Sequence, residues 1–306
     1  MQSIKVKSPA TLSNLCCGFD ILGMALKEPF DIIELIQRDQ KGINIQHLDD
    51  FSLPTDPAKN IAGVALQSML DALNYTHGFD VIIEKKIKPG SGIGSSAASA
   101  AGIVVAANQL LGNPFTKKQL LSFAMEGEEL ASGSRHADNL APCVYGGLVL
   151  IRDTASLDII EINTPPLFIT VIHPQIEIKT SFARKILPTE IPLKSAVTQW
   201  ANVAGLVTGF LQSDYALISR SLHDVIIEPV RSKLIPGFDD VKKQSIKVGA
   251  LGGGISGSGP SLFMFSENEK IANQIELEMK SVYNQLCIDY KTYVTNISKN
   301  GVEEII

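Results

Sequence analysis

A chain of 306 residues, 45% hydrophobic and 19% charged, carries enough apolar side chain for one large core or two joined ones, which excludes a disordered or low-complexity protein. The formal net charge of −5 argues against a dedicated nucleic-acid binder, and no basic run of the membrane-docking kind occurs. Cys16, Cys17, Cys143 and Cys287 show neither CxxC pairing nor zinc spacing, and no apolar run reaches the ~18 residues that span a bilayer. The cysteines read as buried hydrophobes in a reducing compartment, and a soluble cytoplasmic protein is expected.

In chain order, "SIKVKSP" alternates at the strand period, and "FDIIELIQ" and "FDVIIEKKI" are β-branched strand patterns. Asn60–Leu73 spaces its apolar residues as a helix does, with Asn60 as N-cap. Lys88–Gly112, "KPGSGIGSSAASAAGIVVAANQLLG", runs from a glycine-serine loop into an apolar helix, and "TKKQLLSFAMEGEELASG" continues with another. Strand-like Gly146–Ile151 leads to "NTPPLFITVIHP", where a boundary between domains 1–160 and 161–306 is expected. The second half then gives a strand, a helix-rich middle over about 180–245, a glycine-rich loop followed by a strand, and a closing helix and strand. This order predicts α+β with two layered domains, not regular βαβ alternation.

The Lys88–Gly112 segment has two readings. Gly90, Gly92 and Gly94 leave room for backbone N–H groups to converge on an anion, and Ser95 or Ser96 opens a helix whose dipole favours negative charge. A serine hydroxyl at that place can also ligate Mg²⁺. Yet the segment lacks the P-loop lysine and the Rossmann spacing, so a plain helix-capping turn fits the pattern equally well. Two further loops bear on the choice: Pro9–Leu26, which sets Asn14 and Asp20 about Gly18, and the glycine-dense Gly249–Phe265. Each glycine held in regular structure costs about 0.5–1 kcal/mol, so three such loops favour close approach of backbone to a ligand.

"SPATLSNLCCGFDILGMAL", "KPGSGIGSSAAS" and "GALGGGISGSGPSLF" resemble, in order and over nearly the whole chain, the three signature regions of the GHMP kinase superfamily. The middle run is the most specific, with Ile93 at its hydrophobic position. The resemblance implies an N-terminal domain like ribosomal protein S5 domain 2 and a ferredoxin-like C-terminal domain. It also implies ATP held by Lys88, Pro89, Gly90, Ser91, Gly92, Ile93, Gly94, Ser95, Ser96 and Ala97, with Asn60 and Ile61 beside the adenine. Mg²⁺ is implied on Ser96 and Glu128.

Glu126–Gly147 looks closest to the homoserine kinase family, with Glu128, Ser132, Gly133, His136, Asp138, Asn139, Ala141 and Pro142 in register with its E-x-x-x-S-G-x-x-H-x-D-N-x-A-P stretch. A substrate with a free carboxylate calls for a planar guanidinium clamp, and this chain has only six arginines. Arg184 and Arg231 resemble the family's carboxylate-holding residues. Asn14, Asp20 and Asp138 are candidate acceptors for an ammonium group, and His136, Asn139, Thr180 and Gly257 complete the expected substrate set. The implied reaction moves the γ-phosphoryl of ATP to the hydroxyl of L-homoserine, in threonine biosynthesis. Asp138 either acts as general base or, with Asn139, only orients the hydroxyl. Mevalonate, shikimate or a diphosphocytidyl-methylerythritol acceptor, or a catalytically dead sensor, are the rival readings. A homodimer is expected from the resemblance alone.

Overall fold

The computed structural model describes residues 2–132 and 136–305, the side chains at 131 and 132 excepted. The first domain runs β1 (Ser3–Ser13), β2 (Leu22–Arg38), β3 (Gly42–His47), α1 (Ile61–Ala72), β4 (Gly78–Glu84), α2 (Ser95–Leu110), α3 (Lys117–Ser132), α4 (Leu140–Tyr145), β5 (Leu148–Asp153) and β6 (Asp158–Ile162). The second follows with β7 (Phe168–Pro174), α5 (Thr180–Lys185), α6 (Leu193–Gln212), α7 (Tyr215–Ser221), α8 (Glu228–Arg231), α9 (Phe238–Lys247), β8 (Gly252–Ile255), β9 (Leu262–Ser266), α10 (Glu269–Gln285) and β10 (Tyr290–Asn296). A short last strand, β11 (Glu303–Glu304), returns to the first sheet.

The long β2 is the spine of the first domain. Its early residues pair with β5, its late residues with β4, and β1 runs antiparallel along both stretches. The sheet order is β11-β1-β2-β4-β3, with β5 and β6 extending it from β2. On β2, Ile33 and Leu35 face the core at the strand period and meet the alanine-rich α2, whose small side chains let it lie almost wholly buried. α1 is capped as its sequence predicts: the Asn60 side chain accepts from the amides of Ala62 (2.9 Å) and Gly63 (3.3 Å).

The second sheet is antiparallel in the order β10-β7-β9-β8, the ferredoxin-like arrangement. One face packs on α9 and α10 through residues such as Val241, Ile275 and Met279. The other face shares a core with the first domain, where Val171 and Phe263 join Leu12, Leu22 and Met24. The expected break at 160/161 falls within β6, whose pairing with β5 continues to Ile162.

Two further expectations need adjustment. Gly252–Gly254 are not loop but strand β8, and they approach protein rather than ligand: a Cβ on Gly253 would lie 1.9 Å from the Phe263 carbonyl. Of the four cysteines, Cys16, Cys17 and Cys143 are buried, whereas Cys287 is exposed.

Asp31 occupies a core-facing position on β2 where the alternation calls for an apolar residue. It pairs there with Lys85, the two side chains being 0% and 2% exposed. Lys85 Nζ also donates to the Ser95 carbonyl (2.6 Å) and Ser99 Oγ (3.0 Å), and Asp31 accepts from the amides of Lys86 (2.8 Å) and Ile87 (2.9 Å). Removing one partner strands a buried charge, which typically costs about 3–5 kcal/mol. Lys85→Met is therefore expected to lose about that much stability in urea unfolding, and Asp31→Asn with Lys85→Met to recover more than half of it.

Candidate active site

A cleft of about 310 Å³ opens where the two domains meet. Its first wall is the loop Lys88–Gly94. Gly90, Gly92 and Gly94 all have φ between +71° and +81°, the left-handed region that glycine enters without strain. Gly94 is the N-cap of α2, and a Cβ there would lie 2.0 Å from the Thr11 hydroxyl. A Cβ on Gly92 would lie 2.5 Å from the Gly259 carbonyl, whereas one on Gly90 would meet nothing within 4 Å. The loop is thus closed on two sides by protein and open on the third, at the N-terminus of a 16-residue helix.

The second wall comes from α3 and the turn before α4. Ser96, in the first turn of α2, donates its hydroxyl to the Glu128 carboxylate. Asn139 is fixed by β1, accepting from Thr11 Oγ1 (2.8 Å) and donating to Ser13 Oγ (3.0 Å). The Ser13 hydroxyl donates in turn to the buried Asp138.

The third wall joins the turn after β1 to the second domain. Asn14 donates to the Gly257 carbonyl (2.8 Å) and accepts from the Asp20 amide (3.1 Å). Arg184 grips Asp20 through two bonds of 3.0 and 2.8 Å. Arg231, 3% exposed, donates to the carbonyls of Ala183 (3.3 Å) and Gly257 (2.8 Å). Both guanidiniums lie over the Phe19 ring, at 5.3 and 5.0 Å from its centroid. Thr180 contacts Ser258 (3.3 Å), and His136 lies on the same wall. Across the junction, Ser256 Oγ donates to the Gly92 carbonyl (2.7 Å) and Ser261 Oγ to that of Ser91 (2.6 Å).

The structure brings most of the expected residues to this cleft: Asn14, Asp20, Ile61, Pro89, Gly90, Gly92, Gly94, Ser95, Ser96, Glu128, His136, Asp138, Asn139, Thr180, Arg184, Arg231 and Gly257. Five others do not line it. Asn60 is taken up by capping α1 and by the Pro54 carbonyl, and Lys88 donates to Gln175 Oε1 (2.7 Å). Ser91, Ile93 and Ala97 are buried, Ile93 and Ala97 in core clusters. Gly133 and the Ser132 side chain lie outside the described residues. Ser13, Leu53, Lys85, Ser99 and Ser258 line the cleft without having been singled out. Ser13 and Ser258 adjoin expected residues, and a buried charge on a strand end could have pointed to Lys85. Leu53 stands in a polar loop that carries no pattern.

Electrostatics at the centre favour a cation. Burial pushes the Asp138 carboxyl up to about 6, helped by Asp20 and opposed by the Ser13 hydrogen bond and Arg184. Burial likewise raises Glu128 to about 7, with the Asp138 charge adding and the Ser96 hydrogen bond opposing. Burial and then Arg184 lower His136, which keeps its imidazole neutral near pH 7. No group of three acidic, histidine or cysteine side chains forms a metal cage among the described residues. The hydroxyl and carboxylate of Ser96 and Glu128 are hard oxygen donors that suit Mg²⁺, which takes only one or two protein ligands when substrate phosphates supply the rest.

Comparison with known proteins agrees with this geometry. Residues 60–147 match the GHMP kinases N terminal domain and 206–285 the GHMP kinases C terminal domain. A homoserine kinase of Chloroherpeton thalassium is 46% identical, with 98% of this chain and 99% of the relative covered. One of Chlorobium phaeobacteroides is 45% identical, with 99% of each covered. The chain belongs to the homoserine kinase family. The crystal structure of a family member from Cytophaga hutchinsonii superposes with a TM-score of 0.96 at 48% identity, covering 100% of this chain and 98% of that one. The family's two-domain architecture therefore extends over the whole chain.

The raised Asp138 has a measurable consequence. Well below pH 3.8 it is protonated in folded and unfolded chains alike. As the pH rises to about 6 the unfolded chain releases its proton first, so the fold loses stability over that window and stays lower above it. A displacement of roughly two units amounts to about 3 kcal/mol. Asp138→Asn is expected to melt a few degrees above wild type at pH 8, with the gap closing near pH 4 in thermal melts.

Proposed function

We propose that this protein transfers the γ-phosphoryl group of ATP to the side-chain hydroxyl of L-homoserine, giving O-phospho-L-homoserine and ADP, a step of threonine biosynthesis. One observation carries the reading. A single cleft has a glycine cradle and helix N-terminus at one end, two arginines and an aspartate at the other, and the Asp138–Asn139 pair between them.

In this reading Gly90–Gly94 and the first turn of α2 hold the β- and γ-phosphates. Leu53 and Ile61 give the adenine an apolar wall. Arg184 and Arg231 bind the substrate carboxylate, and Asn14 and Asp20 the ammonium group. Mg²⁺ on Ser96 and Glu128, when bound, supplies charge neutralisation at the phosphates. Asn139, locked by Thr11 and Ser13, and Asp138, held by Ser13, orient the acceptor hydroxyl towards the phosphate loop. Phosphoryl transfer depends mainly on alignment and charge stabilisation, so positioning carries most of the rate and general-base catalysis little.

The expected partner is a second copy of this chain, docked along α6. Leu193, Val197, Trp200, Ala204, Thr208 and Leu211 are exposed at spacings of four, three, four, four and three, an uncharged stripe down one helix face. A two-fold axis would set that stripe against itself with no like charges facing.

Coupled ADP-release assays with homoserine, shikimate and mevalonate test the activity. Turnover is expected with homoserine alone, and activity confined to an acceptor that is not an amino acid would overturn it. Glu128→Gln is expected to lower kcat by about 10²-fold or more. Asp138→Asn is expected to keep kcat within about tenfold, since a loss in the ~10²–10⁴ range would mark a true general base. Sedimentation of Trp200→Asp is expected to give a monomer where wild type gives a dimer.

A further inference from the structure

Two ion pairs of opposite character reach the cleft wall, the first through Lys85 alone. Lys85–Asp31 is sealed from water, whereas Arg184 and Asp20 are 38% and 30% exposed and face the cleft. A half-exposed pair is weakly held and can be exchanged. Asp20 nevertheless fills both prongs of the Arg184 guanidinium, the geometry by which a free carboxylate would be bound. Its own backbone sits at φ +62°, tied to Asn14 Oδ1 through its amide, so Asp20 keeps its place when Arg184 turns away. Arg231 is buried and anchored to two carbonyls, which leaves Arg184, on the short α5, as the mobile partner of the two.

We propose that the Asp20 carboxylate competes with the substrate carboxylate for the Arg184 fork and is displaced from it by an entering α-amino acid. The incoming carboxylate takes the Arg184 fork, and the incoming ammonium takes the Asp20 carboxylate so released. The exchange conserves charge only when the ligand brings both groups. A carboxylate without an ammonium leaves Asp20 without its cation and beside a second anion, and the site rejects it for that reason. Asp20 is therefore a specificity-determining residue as well as an ammonium contact. The inference rests on the proposed amino-acid acceptor and adds the order of exchange and the selectivity that follows.

Calorimetric binding to the full chain with ADP present tests it, using L-homoserine, 4-hydroxybutyrate (no ammonium) and 3-amino-1-propanol (no carboxylate). In Asp20→Asn, homoserine is expected to bind about ten- to a hundredfold more weakly, the loss typical of a charge-assisted contact. 4-Hydroxybutyrate is expected to move the other way and bind at least about fivefold more tightly than to wild type, because nothing competes for Arg184. Asp20→Glu, which keeps the competing carboxylate, is expected to show no such gain, and Asp20→Ser replaces the amide variant should that one not fold. Equal weakening of both ligands, or no change for 4-hydroxybutyrate, overturns the exchange while homoserine turnover by wild type leaves the proposed activity standing. Wild-type protein that does not phosphorylate homoserine overturns both.

Discussion

The ion pair between Asp31 and Lys85 clamps both ends of the glycine loop Lys88–Gly94. Inside the loop the Ser91 amide closes one turn on the Lys88 carbonyl (3.2 Å), and the glycines lower the resistance of the chain to other conformations. It needs its ends clamped. Asp31 holds the entry through the amides of Lys86 and Ile87, Lys85 holds the exit through the Ser95 carbonyl and Ser99, and Ser95 Oγ reaches back to the Ile87 carbonyl (2.8 Å). One buried salt bridge therefore fixes where the first turn of α2 points. Burial raises the Asp31 carboxyl above its ordinary range in spite of Lys85, a sign that the pair is retained at some cost in stability.

From that fixed loop the rest of the cleft is assembled by backbone contact across the domain junction. Gly92 and Gly259 approach so closely that neither chain segment tolerates a side chain on Gly92, and two serine hydroxyls of the second domain end on the carbonyls of Ser91 and Gly92. The neighbouring Ile93 carbonyl is taken by the Thr11 amide (3.1 Å), so this part of the loop is held from both domains. The arginine wall is built in the same way: the Gly257 carbonyl accepts from both Asn14 and Arg231, so one backbone group orients two side chains from different domains.

The fold was legible wherever one period dominated. Alternation marked β1, β2 and β4, helical spacing with an N-cap marked α1, and the strand-helix order gave two α+β layers. In the site, residue types of restricted chemistry could be read: glycines in serine-rich company, arginines in a chain that has few, a carboxylate beside an amide. Three things escaped. Gly252–Gly254 look like a ligand loop but are a strand whose missing side chains admit Phe263, Leu222 and Glu228, since close approach to protein and to ligand have the same sequence signature. Lys85 looks like one of several strand-end lysines, because its partner Asp31 lies 54 residues away. Lys88 is turned aside by Gln175 of the other domain, a contact that no local pattern announces.

The chain's last strand adds a constraint in time. β11, at Glu303–Glu304, completes the edge beside β1, while Leu12 at the far end of β1 is buried against Val171 and Phe263 of the second domain. On a ribosome the first 160 residues emerge with one sheet edge open and with part of their core facing solvent. The Lys88–Gly94 loop is by then fully synthesised, yet its carbonyls wait for Ser256 and Ser261 and its sheet waits for residue 303. Vectorial folding of the first domain therefore stops short of the assembled cleft until residue 303 has been made.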